Sequence, residues 1–455
     1  MASNRSLFLI LLFLLSAISV AGEDLSLGPA EQEAVYLALE SIDPFTDWRS
    51  LYPGDLCLYG PHGVVCDVGE SSSELHVIEI NLGFVSDVSS NPNCSQNATL
   101  PYSLSALPFL RKIFFYNCFS SSKTIFESSF VKNLSSAMRE IVFINNPALV
   151  GRISGSIGNF SNLRRLIITN SAVSGSVPIE IGDLQNLSQL VLSGNRLRGP
   201  IPASIGSLNQ LMILDLSGNR ISGGVPTQIG RLSELVKLDL SGNRISGPVP
   251  VEIGRLKNVE FLDLSFNKLT GGVPTAIGRM VSLKEVYLSG NALGGQIPEI
   301  WETLKGILGI GMSKTGLVGN IPASMGVFLE NLCYLGLDGN FLEGELPEQF
   351  KRLEATASEI NVENNRLRGR IPFSAGFVWR LGGKLKVGGN GNLCLGEELV
   401  GHVRSTSSVG ELELCNKTEI PRAVLFSSGA SFLKGRLFWV VLVIQLWFCL
   451  FVRGG

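Results

Sequence analysis

A chain of 455 residues has room for about three ordinary domains, yet its composition argues against an ordinary enzyme plan. Gly contributes 51 residues, and charged residues make up 17% where a soluble domain has ~25%. With 39 acidic against 37 basic side chains the net charge is -2, so the basic footprint of a nucleic-acid binder is excluded. The three histidines, His62, His76 and His402, are too scattered for a histidine-based metal site, and no catalytic, metal or cofactor residues are expected.

In chain order, Arg5 precedes an unbroken apolar run from Leu7 to Leu15, and Ser19-Val20-Ala21-Gly22 supplies small residues behind it. That order reads as a secretory signal peptide over residues 1–22. Residues 23–135 read as an N-terminal cap and irregular first repeats. Within them, Ala30 to Ile42 predicts an amphipathic helix with Val35, Leu39 and Ile42 on one face, and a strand is expected near Val77 to Leu82. Cys57/Cys66, Cys94/Cys118 and, further on, Cys394/Cys415 fall as spaced pairs, and neighbour pairing in an oxidising compartment is the simplest expectation. Cys333 is left over and is expected as a free thiol. Asn93, Asn97, Asn133, Asn159, Asn186 and Asn416 head glycosylation sequons.

The middle of the chain is periodic. Leu187-Ser-Gln-Leu190-Val-Leu192-Ser-Gly-Asn195 returns with Asn219, Asn243, Asn267 and Asn291, each 24 residues apart. The register extends back to Asn146 and Ser171 and forward to Thr315, Asn340 and Asn365. A proline follows each slot by seven residues, from Pro178 to Pro372, except the first, where Ser154 stands. The L-x-x-L-x-L-x-x-N spacing at this period identifies leucine-rich repeats, ten of them over 136–376. In each unit L-x-L makes one short strand with both leucines inward, and only stacked units can bury them. The fold class is therefore α/β: a leucine-rich-repeat solenoid with disulfide-capped ends. The slot Asn, carrying two donors and an acceptor, can satisfy backbone groups where the chain leaves the strand. Ser171 and Thr315 offer one hydroxyl instead and predict locally weaker points.

Beyond the repeats, 377–419 reads as a C-terminal cap and 420–436 as a linker. The segment 437–455 is a hydrophobic tail, apolar from Leu437 to Val452 apart from Gln445. Sixteen residues are short for a membrane span, and the small cluster Ser427 to Ser431 upstream matches a glycosylphosphatidylinositol signal. A lipid anchor and a short single span both remain open. Either places the folded part on the extracellular face of the plasma membrane.

The extension Gly199-Pro-Ile-Pro202-Ala-Ser-Ile-Gly206-Ser-Leu208 resembles the plant-specific class of leucine-rich repeat. Nearly the whole mature chain is similar to the kinase-less receptor-like proteins of plants. Gly60-Pro-His-Gly-Val-Val-Cys66-Asp67, Phe114-Phe-Tyr-Asn-Cys118 and Gly319-Asn-Ile-Pro-Ala-Ser-Met-Gly326 resemble a subgroup of Piriformospora indica-insensitive-type proteins near Too Many Mouths. The resemblance implies a surface protein working beside receptor kinases in signalling or microbe perception. Its expected partners are a receptor-kinase ectodomain or a secreted peptide or protein ligand. Unlike the larger receptor-like proteins, this chain has no obvious island interrupting its repeats, so their docking features do not carry over. The alternative function is an apoplastic inhibitor of microbial wall-degrading enzymes.

No kinase, G-x-S-x-G, H-E-x-x-H, C-x-x-C or P-loop pattern appears, and the chain reads as non-enzymatic. Asp215, Asp239 and Asp263 fall in one outward column at strand spacing, where carboxylates could bind a cation or share a proton. Leu-Asp-Leu-Ser is also the ordinary filling of this repeat type, and that reading is preferred, as it is for the column Ser193 to Ser313. Partner contact is expected on the concave strands. There Met212, Ile213, Val236 and Phe261 form an apolar patch, with Lys237 among them, Arg164 and Arg165 on one side, and Lys284, Glu285 and Tyr287 on the other. Apolar area rimmed by charge is what an interaction surface needs.

Overall fold

The computed structural model describes residues 25–68, 74–83, 91–400 and 408–415. Two compact units meet at Val150/Gly151, inside the span read as regular repeats. The expected signal peptide, the hydrophobic tail with Cys449, and the sequon at Asn416 lie outside the described residues. Among the described residues no helix is long and apolar enough to cross a membrane.

The first unit begins with a helix, Pro29–Ile42, whose proline occupies the first turn, where an N–H would lack a partner anyway. Val35, Leu39 and Ile42 are buried on its inner face, as their spacing predicts. Asp55 caps the short helix Leu56–Tyr59 and also accepts from the Leu27 N–H at 2.6 Å, tying the entry of the chain to the Cys57–Cys66 loop. Strand Val64–Val68 runs antiparallel to Leu75–Leu82, after which Lys112–Tyr116 and Glu140–Ile144 add parallel strands. The core here is aromatic: Phe115 stacks on Phe143 at 4.9 Å, and Phe126 meets Phe143 edge-on at 5.5 Å. Cys94–Cys118 closes beside it.

The second unit is a stack of parallel strands. Arg165–Thr169, Gln189–Val191, Ile213–Asp215, Lys237–Asp239 and Phe261–Asp263 are followed in register by Glu285–Tyr287, Gly309–Gly311, Tyr334–Gly336 and Glu359–Asn361. Leu190, Leu214, Leu238, Leu262 and Val286 point inward at 0% exposure and form the continuous core that no single repeat can make. A second parallel sheet joins Ala172–Gly175, Arg196–Gly199, Arg220–Gly223, Arg244–Pro248 and Lys268–Thr270. A third joins Val318–Asn320, Phe341–Glu345, Arg366–Arg370 and Asn392–Leu395. Return paths start at the periodic proline in extended geometry where Pro202, Pro226 and Pro250 cap one-turn 3-10 helices, and Ser154 takes that place in the first.

The asparagine ladder satisfies the backbone where the chain leaves the strand in most repeats. Asn219 Nδ2 donates to the carbonyls of Leu192 (2.9 Å), Leu216 (3.1 Å) and Ser217 (3.1 Å), while its Oδ1 accepts from the Leu197 N–H (3.0 Å). Asn243 and Asn365 repeat the pattern. At the Ser171 slot the hydroxyl reaches the Thr169 carbonyl at 3.1 Å. Thr315 donates to the Met312 carbonyl and leans on Asn340 Oδ1, which serves the Thr315 and Leu317 N–H groups as well. The ladder also continues through Asn390, in the span read as the C-terminal cap. The residue before the slot turns left-handed: Gly194, Gly218 and Gly242 do so without steric cost, whereas Phe266 is held there at φ 53. Cys394–Cys415 closes the far end. Cys333 corrects its expectation: it is 6% exposed and disulfide-bonded, not a free thiol.

Candidate functional site

Outward residues of the parallel strands line up in columns. One column runs Arg165, Gln189, Ile213, Lys237, Phe261, Glu285, Gly309, Tyr334 and Glu359. The next runs Asp215, Asp239, Asp263, Tyr287, Gly311 and Gly336. Met212 is 49% exposed and is the prominent apolar group of the predicted patch. Ile213, Val236 and Phe261 are half-buried, and Arg164 and Lys284 are exposed. Arg165 Nε reaches Gln189 Oε1 at 3.2 Å, and Lys284 pairs with Glu260 at 2.8 Å.

Tyr287 is the departure from the sequence reading. It is buried at 7%, since the bare strand Gly309–Gly311 leaves room for its ring: a Cβ on Gly311 would stand 2.7 Å from the ring and one on Gly309 2.9 Å from the hydroxyl. Its hydroxyl donates to Glu285 at 3.1 Å, and burial followed by Glu285 raises its pKa. Tyr334, which the sequence reading did not single out, is half-buried with its hydroxyl over Gly336 of its own strand. Phe261, Tyr287 and Tyr334 thus form a row, with ring centres 5.9 and 6.4 Å apart. The signal for it was Gly-Ile-Gly where other strands carry side chains.

The aspartate column is built into the framework. Asp239 and Asp263 are 8% and 2% exposed, and each Oδ1 accepts from a serine two residues on, Ser241 Oγ at 2.7 Å and Ser265 Oγ at 2.6 Å. Lys237 Nζ meets Asp215 at 3.0 Å and Asp239 at 3.7 Å and lies 5.4 Å from the Phe261 ring centre. Burial opposes the charge on Lys237, but the carboxylates of Asp215 and Asp239 outweigh it and raise its pKa. One lysine cannot balance three carboxylates. Burial, reinforced by Asp239, pushes Asp263 up to about 7, and burial reinforced by Asp215 raises Asp239. At this burial neither carboxylate meets a substrate. Among the described residues no acidic, His or Cys cluster could hold a metal ion. Elsewhere a cleft of about 410 Å³ is lined by Lys351, Glu354, Arg370, Phe373 and Glu398. Its charges are engaged, Lys351 with Glu348 and Arg370 with Glu398.

The Leucine Rich Repeat profile matches residues 186–208, 210–232, 234–256, 258–280 and 282–304, the strands that carry this face. These spans are leucine-rich repeats. Its curated relatives are receptor-like proteins of Arabidopsis thaliana. It is 33% identical over 147 residues to receptor like protein 29 (31% of this chain, 30% of that one) and 35% over 148 residues to Piriformospora indica-insensitive protein 2 (32% and 34%). It is 34% identical over 137 residues to the protein TOO MANY MOUTHS (30% and 26%). The matched part thus spans about a third of these relatives. Among solved structures, the Arabidopsis receptor kinase HAESA, in complex with the peptide hormone IDA and the co-receptor SERK1, superposes with a TM-score of 0.58 at 25% identity. That match covers 81% of this chain and 62% of HAESA.

Proposed function

We propose that the protein is a cell-surface recognition module or co-receptor without catalytic activity, binding a secreted peptide or a receptor-kinase ectodomain on its strand face. The observation that carries this reading is the in-register outward face around Met212, Ile213, Lys237 and Phe261, where apolar surface alternates with fixed charge. The likeness to a receptor ectodomain that is seen with a peptide hormone and a co-receptor adds to it. The disulfides Cys57–Cys66, Cys94–Cys118 and Cys394–Cys415 favour an oxidising, extracellular setting. Asn93, Asn97, Asn133, Asn159 and Asn186 are exposed, as glycan acceptors must be. The apolar segment 437–455, as a lipid-anchor signal or as a short span, would place the protein at the membrane.

The test is affinity capture with the tagged full chain from plant membranes and from infected extracellular fluid, beside the double variant Ile213→Asp/Phe261→Ala. Neither change touches an inward leucine, so folding and secretion should survive. Recovery of a receptor-kinase ectodomain by the native chain and its loss from the variant is the expected result. Recovery of a microbial wall hydrolase instead would favour the inhibitor function, and equal recovery by both proteins would move the contact off this face.

A further inference from the structure

The second sheet of the repeat unit carries a row of cations with nothing to balance them. Along Arg196–Gly199, Arg220–Gly223, Arg244–Pro248 and Lys268–Thr270, strand alternation turns Leu197, Ile221, Ile245 and Leu269 inward at 0 to 1% exposure. The opposite face presents Arg196, Arg198, Arg220, Arg244 and Lys268, all exposed. Register sets Arg198 directly beside Arg220, Arg244 beside Ser222, and Lys268 beside Ser246. These four strands contain no Asp or Glu, and none of the five cations forms an ion pair among the described residues.

The third sheet shows what the same edge looks like when its charge is balanced. There Arg366 lies in register with Glu343 and Arg368 with Glu345, and Arg370 pairs with Glu398. Like charges set side by side on neighbouring strands are destabilising, so stability alone gives no reason to keep the uncompensated row.

We propose that this second sheet binds an extended acidic polysaccharide, a chain of uronic acid residues lying across the strands along Arg196, Arg198, Arg220, Arg244 and Lys268. Guanidinium forks match carboxylates bidentately. The intervening outward residues Ser222, Ser246 and Thr270 supply hydroxyls for those of the sugar. Only Arg198 and Arg220 stand directly side by side on strands ~4.8 Å apart; Arg220, Arg244 and Lys268 follow as diagonal neighbours about 7–8 Å apart, a step comparable to two sugar units of an extended polyuronate. A lipid surface fits less well, because the row has no aromatic or aliphatic side chain to insert. Nucleic acid is not the ordinary polyanion of the oxidising compartment that the disulfides favour.

The experiment measures binding of the purified full chain to immobilised polygalacturonic acid and to the same polymer fully methyl-esterified, which keeps the backbone and removes the charge. The native chain should bind the acid form, release it at high salt and ignore the ester. Arg198→Ser/Arg220→Ser/Arg244→Ser should bind at least about tenfold more weakly, three charge-assisted contacts having gone. Arg366→Ser/Arg368→Ser, which removes charge from the balanced sheet, should bind like the native chain. Unchanged melting of both variants shows that folding is not the cause. Absence of binding by the native chain, equal loss in both variants, or tighter binding to phosphatidylserine vesicles or duplex DNA than to polygalacturonate would overturn the proposal.

Discussion

Replacing Asp263 by Asn should change how stability depends on pH, and the direction follows from the burial of the aspartate column. The free-chain pKa of Asp is about 3.9, while burial and the neighbouring Asp239 push Asp263 up to about 7. Between those values the folded chain holds a proton that the unfolded chain does not, so stability is greatest below the unfolded pKa and falls as pH rises through the folded one. One differential proton is worth about 1.4 kcal/mol per pH unit, so from pH 5 to pH 7 the loss is roughly 2 kcal/mol. For a unit of this size that is on the order of 5 °C in Tm. In Asp263→Asn the side-chain oxygen still accepts from the Ser265 N–H and Oγ, now at 2.8 and 2.6 Å, but no charge is buried. Melting curves of both proteins from pH 5 to 7.5, followed by circular dichroism, isolate the effect, because other titrating groups cancel in the difference. The variant should gain on the native chain as pH rises. Parallel Tm curves, or a variant that loses ground at neutral pH, would refute the reasoning.

Asn243→Ala leaves the carbonyls of Leu216, Leu240 and Ser241 without their amide donor and the Ile221 N–H without its acceptor, and should cost about 3 kcal/mol in chemical denaturation. Phe266→Asn places a residue that tolerates left-handed backbone where φ is 53, and should gain roughly 1 kcal/mol in the same assay. Removing Cys94–Cys118 by a double Ser substitution opens a loop of 24 residues and should lower stability by about 3 kcal/mol, measurable as a fall in denaturation midpoint.

The repeat architecture was legible because two residue types, Leu and Asn, recur in phase with Pro over many units, and that redundancy survives Ser171, Thr315 and the one-residue insertions. The ladder's reach to Asn390 was harder to see, since the proline that marks the other units does not follow it at seven residues. Exposure on the strand face was harder still. Tyr287 is covered because Gly309 and Gly311, on the next strand, leave its ring a bed, and no local pattern around Tyr287 announces that. Cys333 was misread for a different reason: it has no cysteine neighbour inside the repeats, and sequence spacing does not fix disulfide connectivity. The Asn-Arg dipeptides at 195–196, 219–220 and 243–244 stood in plain view, yet only the register of the second sheet shows that they make a row free of acids.

The two faces use charge in opposite ways, and that difference separates the functions assigned to them. On the strand face the lysines are already engaged: Lys237 with Asp215, Lys284 with Glu260, and Lys386 with Glu359 at 2.7 Å. A ligand there must either leave those pairs intact or replace one partner, so its binding should rest on the apolar area around Met212 and Phe261, with charge fixing orientation. On the second sheet no pair has to be broken, and binding should rest on counterions released from five free cations. Salt therefore discriminates between them. Capture of a protein partner should weaken little between low and physiological salt, whereas retention on polygalacturonate should fall steeply, as polyanion binding does when several cations are engaged. A steep salt dependence for the protein partner would mean that the basic row, not the strand face, carries that contact too.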